Sequence, residues 1–191
     1  MNEKMKNWET KEGVKFLRKI GITSGQSVLD FGCRVGHYSI PAAKIVGDKG
    51  IVYAVDREQE ALNELQQKVK AHNLKTVKIM KTSGQIDLDF ESESICVVLL
   101  YDVLHYLEKT DRKKLYEESF RILEQYGLLS VYPKHTLGND PIRQFKELNS
   151  DDIKQEIEDS GFHFEEKHCG FISHDDGLNQ GCIFNFRKAK K

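Results

Sequence analysis

The chain has 191 residues, of which 39% are hydrophobic and 31% charged, with 29 basic against 30 acidic side chains for a formal net charge of −1. That length makes one domain-sized core with no second large module, and the balanced charge lacks the basic excess of a nucleic-acid binder. No apolar run reaches the roughly 18 residues of a membrane span, and Met1-Asn2-Glu3-Lys4-Met5-Lys6 lacks the apolar core of a secretory signal, so the expectation is a cytoplasmic protein.

In chain order, an amphipathic helix is expected from Trp8 to Ile20, with Trp8, Val14, Phe16, Leu17 and Ile20 apolar. Residues 1–22 then form a lid on a core of residues 23–191, or a wall of a substrate pocket. A strand over Ser27–Asp30 leads through a glycine turn into a helix over Tyr38–Val46, where Pro41 is tolerated in the first turn. A second strand ends at Asp56. The next helix, Glu58–Ala71, places Ala61, Leu62, Leu65 and Val69 on one stripe. Strands follow over Thr76–Met80 and Ser94–Leu100, a helix over Asp111–Leu123, a strand over Gly127–Val131, and a helix over Ser150–Ser160 capped by Ser150 or Asp151. Phe162–Cys169 and Cys182–Phe186 complete seven strands as an antiparallel hairpin. The alternation implies an α/β, single-domain, Rossmann-like doubly wound fold with a seven-stranded, mostly parallel sheet.

The chemistry concentrates at the first turn. Val28-Leu29-Asp30-Phe31-Gly32-Cys33-Arg34-Val35-Gly36 is an apolar strand ending in an acid and a glycine turn. Gly32 and Gly36 allow left-handed dihedrals and close approach of a ligand to the backbone. Asp56 stands about 20 residues beyond the turn, where a carboxylate can accept hydrogen bonds from ribose hydroxyls. A dinucleotide needs glycines at the first, third and sixth turn positions. Here those positions hold Gly32, Arg34 and His37, so only one fits. A ligand with a cationic amino group suits Asp30 instead.

These segments resemble motif I and the ribose-binding acid of the class I S-adenosylmethionine-dependent methyltransferases. The likeness extends through Phe90–Leu107, Tyr126–Tyr132 and Ser160-Gly161-Phe162. It implies S-adenosylmethionine as cofactor, with Asp30, Gly32, Cys33, Arg34, Gly36 and Tyr101 around the methionyl part and Asp56 with Arg57 at the ribose. Ser83, Gly84 and Gln85 fall at the adenine. The sequence departs from the family at Arg34, usually glycine, and at Lys81-Thr82-Ser83-Gly84-Gln85, which lacks an acid. Arg34 either pairs with the methionyl carboxylate or points to solvent, and at positive φ it carries a cost of about 1–3 kcal/mol.

Methyl transfer needs an aligned acceptor, and a base only where that acceptor starts protonated. His105, after the fourth strand, is the candidate catalytic base or only fixes the loop, with His135 either a loop residue or a substrate ligand. Asp102 lies near the methionyl end or caps the short helix that follows. The segment from Lys134 to Asn149 is expected to roof the pocket. The Asn/Asp-Pro-Pro-Tyr/Phe signature of similar enzymes is absent, which disfavours methylation of adenine, cytosine or glutamine. A small-molecule acceptor is therefore expected, and no metal site is assigned to His163, His168 or His174. The four cysteines show no CxxC pairing and are expected as free thiols in a reducing compartment; Cys169 and Cys182 read as small buried strand residues or as soft-metalloid ligands. Glu91, Glu93, Asp151, Asp152, Glu156 and Glu158 read as solvated. Two other readings stay open: a degenerate cofactor-binding or interaction module of the same fold, and an NAD-dependent oxidoreductase.

Overall fold

The computed structural model describes residues 3–84, 86 and 88–188. Seven strands form one mixed sheet of order β3-β2-β1-β4-β5-β7-β6, the Rossmann-like α/β arrangement expected. The chain divides into two compact units, Met1–Gly84 with Gly170–Gln180, and Gln85–Cys169 with Gly181–Lys191.

The first unit begins with α1 (Glu3–Asn7), a π-helical turn (Trp8–Glu12) and α2 (Gly13–Lys19). The expected Trp8–Ile20 helix thus starts earlier and carries a wide turn. β1 (Ser27–Phe31) and β2 (Ile51–Asp56) pair in parallel with Phe31 opposite Val55, and β3 (Val77–Lys81) adds to β2 with Asp56 opposite Lys81. This register brings the turn after β1 level with the acid that ends β2. Phe31 is buried, as a core residue should be. Two helices cross between these strands, α3 (Ser39–Val46) and α4 (Gln59–Ala71). The α4 stripe Leu62, Leu65 and Val69 packs with Cys33, Ile40 and Ala54. Burial of such side chains, about 1.5–3 kcal/mol each, fixes the helix against the strands.

In the second unit β4 (Ile95–Tyr101) and β5 (Leu123–Tyr132) pair in parallel, and β5 pairs antiparallel with β7 (Gly177–Lys188). β6 (Phe162–His174) precedes β7, and α5 (Lys109–Ile122) and α6 (Ser150–Glu158) complete the unit. The hairpin strands are much longer than the expected Phe162–Cys169 and Cys182–Phe186, and their distal residues 170–180 group with the first unit.

Several expectations are corrected. α6 is capped by Asn149, whose side chain accepts from the backbone N–H groups of Asp151 and Asp152 in a capping box, and not by Ser150 or Asp151. Asp102 does not cap the helical turn Leu104–Tyr106, which has no side-chain cap. Glu156 is not solvated: it receives the buried Arg112 guanidinium at 2.7 and 2.8 Å. Cys169 and Cys182 are neither free nor buried small residues; they form a disulfide between β6 and β7, with Cys33 and Cys96 outside it. The cysteines therefore carry no argument for a reducing compartment. No described helix is long and apolar enough to cross a membrane.

Candidate functional site

The first unit holds the glycine turn and the two strand-end acids that the sequence assigns to a nucleoside ligand. Gly32 and Cys33 both donate backbone N–H groups to the Val55 carbonyl, at 2.8 and 3.1 Å, locking the start of the turn to β2. Gly36 has φ +85°, and a Cβ there would run into the Leu65 side chain. Glycine is thus required twice over, by dihedral and by space. Gly32, at φ 81°, shares the requirement of dihedral.

Arg34 does occupy the left-handed region, at φ 45°. Its backbone N–H donates to Asp56 Oδ2 at 2.7 Å, and its guanidinium reaches Asp175 at the hairpin tip at 2.8 Å. The pair is more than half exposed on both sides, so it adds little stability by itself. The side chain thus ends on a protein carboxylate, a partner outside the sequence reading.

Asp56 is buried, and its Oδ1 accepts the Glu58 N–H at 2.9 Å. An ionised carboxylate has about four acceptor sites, so two backbone donors orient it and leave capacity for a diol. Arg57 is exposed and pairs with Glu58 at 3.3 Å. Asp30 is buried and accepts the Ser39 hydroxyl at 2.5 Å, which ties the end of β1 to the start of α3. Burial raises its carboxyl to about 7; the Ser39 hydrogen bond opposes this and the Asp56 charge adds to it. An acid near neutrality beside the turn fits a cationic amino group, which would draw it into its ionised form. Burial and the same two carboxylates push the Cys33 thiol up, so it is an unreactive packing residue.

Beyond β3, Thr82 donates its N–H to the Asp56 carbonyl at 2.9 Å. Ser83 and Gly84 are exposed, and Gly84 has φ +90° with open space where a Cβ would be. Gln85 lies outside the described residues. This donor set (two oriented carboxylates, a glycine turn against which a side chain would collide, and an open small-residue loop) fits the amino, ribose and base parts of S-adenosylmethionine.

Two layers that the sequence did not reveal hold the turn. Tyr38 donates its hydroxyl to the Ser173 carbonyl at 2.7 Å, and His37 Nε2 lies 3.4 Å from Asp176. On the inner side, His37 Nδ1 and Lys68 Nζ both reach Glu9 Oε1, at 2.7 and 3.0 Å. Burial raises the Glu9 carboxyl, but the hydrogen bonds and charges of His37 and Lys68 outweigh it and hold the group below the usual carboxylate range. Trp8 and Glu9 were visible only as one apolar and one polar residue of a helix; a π-helical turn leaves no local signature.

The second unit carries the candidate proton-handling groups. His105 is 1% exposed, packed against the rings of Tyr106, His135 and Phe145. Its Nδ1 lies 3.6 Å from Asp102 Oδ1, and His135 Nε2 lies 3.7 Å from the same oxygen. His135 Nδ1 is 2.9 Å from the Asp140 carbonyl. A carbonyl only accepts, so this nitrogen carries the hydrogen and Nε2 is the basic position of the neutral ring. Asp102 and His135 both lie at positive φ, 57° and 68°, just past the ends of β4 and β5. Tyr101 is buried and its hydroxyl meets Ser130 Oγ at 2.7 Å, which in turn donates to Asn185 at 2.8 Å. It therefore serves a network inside the sheet. In the 134–149 segment, Lys134 is buried and held by Asn139 and Asp140 at 2.8 and 3.2 Å.

A model of the methyltransferase domain family matches residues 28–127. The chain is 30% identical over 120 residues to an uncharacterised protein of Haemophilus influenzae, covering 63% of this chain and 47% of that one. It is 26% identical over 117 residues to the demethylmenaquinone methyltransferase of Lactobacillus johnsonii, covering 61% and 47%. The chain thus spans about half the length of these curated relatives. Among solved structures it is similar to a SAM-dependent methyltransferase from Aquifex aeolicus, with a TM-score of 0.76 and 21% identity over 96% of this chain and 93% of that one.

Proposed function

Because the chain belongs to the class I S-adenosylmethionine-dependent methyltransferases, we propose that it transfers a methyl group from S-adenosylmethionine to a small-molecule acceptor. The observation that carries this reading is the locked β1–α3 turn beside Asp56, whose carboxylate is oriented by the backbone N–H groups of Arg34 and Glu58. In this reading Asp30, Gly32 and Gly36 take the methionyl part, Asp56 the ribose, and Ser83, Gly84 and Gln85 the adenine.

Bound cofactor supplies an electrophilic methyl on a sulfonium, displaced in line by the acceptor. The protein's contribution is mostly orientation, with proton removal added where the acceptor is a hydroxyl, thiol or ammonium. His105 is too buried to meet an acceptor directly and acts as a positioning residue against Asp102 and His135. His135, with its hydrogen on the Nδ1 that faces the Asp140 carbonyl, presents basic Nε2 near Asp102, whose carboxylate would stabilise the imidazolium once a proton arrives.

The left-handed Arg34 is accommodated by two partners, which favours a working turn over a degenerate one, and the missing second and third glycines disfavour NAD. Calorimetric titration with S-adenosylmethionine and with NAD, using Asp56→Ala as control, tests the cofactor. Binding of the former alone, lost in the variant, is the expected result; no binding of either would sink the reading. The acceptor panel starts with demethylmenaquinol, after the activity named for the Lactobacillus johnsonii relative.

A further inference from the structure

The N-terminal segment buries two consecutive residues, Trp8 and Glu9, at 1% and 0% exposure. A regular α-helix turns about 100° between neighbours, so two adjacent residues can share one buried face, but the second of this pair is a carboxylate. The pair opens a π-helical turn in which Gly13 donates its N–H back five residues to the Trp8 carbonyl, and such turns are frequent at functional sites. Gly13 is itself demanded there, because a Cβ would stand 2.8 Å from the Trp8 oxygen.

A buried carboxylate is costly unless charged donors compensate it. Glu9 has two, and both lead to the cofactor turn. Lys68 Nζ, besides binding Glu9, donates to the Val35 carbonyl at 3.1 Å. His37 belongs to the turn, and its carbonyl accepts the Trp8 indole N–H at 2.8 Å. The Val35 and His37 carbonyls flank Gly36, the residue with no room for a side chain. Glu9 spends both charge-assisted bonds on Oε1, while Oε2 is buried with no hydrogen-bond partner. A group present only for stability would be better served with both oxygens satisfied.

We propose that Glu9 is a positioning residue for S-adenosylmethionine binding, acting through Lys68 on the Val35 carbonyl and through the His37 ring on the residue that follows Gly36, before the cofactor arrives. This rests on the reading of the β1–α3 turn as the cofactor site. Glu9 touches no cofactor atom in this scheme; it sets where Lys68 and His37 stand, and they set the turn.

The test uses the full chain with S-adenosylhomocysteine as probe, comparing wild type, Glu9→Gln and the double variant Glu9→Gln with Lys68→Met. Affinity is read by calorimetry, folding by Tm, and turn order by amide exchange over residues 32–39 in ligand-free protein. Glu9→Gln is expected to weaken binding roughly tenfold, the scale of one charge-assisted bond, and to speed exchange in the turn. The double variant removes both buried charges, so it should regain Tm while affinity and turn protection stay low. If it regains affinity together with Tm, Glu9 is only a charge-balancing residue and the proposal is overturned. Unchanged exchange and affinity in Glu9→Gln would overturn it as well. Failure of wild type to bind either nucleoside would instead remove the cofactor reading, with the exchange data still deciding whether Glu9 orders the turn.

Discussion

The turn after β1 and the loops after β4 and β5 are built in opposite ways. Around residues 32–39 the polar groups meet at 2.5–3.1 Å: Asp30 with Ser39, Asp56 with Arg34, Glu9 with His37, Lys68 with Val35. Around Asp102 the two histidines stand 3.6 and 3.7 Å from its Oδ1, while left-handed backbone is common to both regions, at Arg34 as at Asp102 and His135. Hydrogen bonds of the first kind fix a shape in advance. Separations of the second kind are too long to be hydrogen bonds, so there the Asp102 carboxylate acts on the histidines through its charge. A ligand common to a whole family suits the first construction, and an acceptor that differs between members suits the second.

The largest effect that would break this comparison is expected at Gly36. Gly36→Ala forces a Cβ into Leu65 at a dihedral that L-residues avoid, and should cost about 2–4 kcal/mol from overpacking and backbone strain together. Thermal unfolding should show the loss, and calorimetry should show S-adenosylmethionine binding abolished. A variant with unchanged Tm would mean that the turn is not the rigid side of the molecule.

Next comes Asp102→Asn, which removes the carboxylate facing both histidines but keeps its shape. Methyl transfer to a protonated acceptor should fall by a factor of about 10²–10⁴, the usual contribution of acid–base assistance. Cofactor affinity should stay within twofold of wild type. Equal losses in both measurements would erase the distinction between the two regions.

The third test uses pH. The Asp30 carboxyl is raised to about 7 in the fold, so the folded state holds more protons than the unfolded chain between the ordinary carboxylate range and neutrality. Stability therefore falls as pH rises through that window. Cofactor binding has the opposite sign, because an ammonium group favours the ionised acid, and affinity should improve from pH 6 to 8. Asp30→Asn should flatten both profiles, measured by unfolding and by calorimetry at each pH.

The two regions also differ in how well they could be read from sequence. The segment from Ser27 to Asp56 was legible because its signals are local: β-branched runs, a glycine turn and an acid at each strand end. His105 was found, but its depth was not, because burial beside Phe145 depends on residues 40 positions apart in sequence. Arg34 was flagged, yet its partner Asp175 lies 141 residues away on a hairpin whose extent was underestimated. That hairpin alternates poorly: β6 exposes or half-exposes most of Phe164–Lys167 and keeps its remaining burial for scattered positions, as an edge strand does. Glu9 was invisible because a charged side chain within a helix ordinarily reads as solvated, and its partners His37 and Lys68 lie 28 and 59 residues away.

The smallest effect is expected at Arg34, and it sharpens the comparison most finely. Arg34→Gly relieves a left-handed side chain worth about 1–2 kcal/mol and keeps the N–H that Asp56 accepts. Against this, the variant loses an exposed ion pair worth about 0.2–1 kcal/mol and adds about 0.5–1 kcal/mol of unfolded-chain entropy. These nearly cancel, so Tm should move by no more than a few degrees and cofactor affinity by less than about threefold. A larger gain in affinity would mean that the Arg34–Asp175 contact holds the hairpin tip against the turn at the expense of the cofactor. In that case the rigid side of the molecule would carry a gate of its own, and Asp175→Asn should reproduce the gain without altering the turn's backbone.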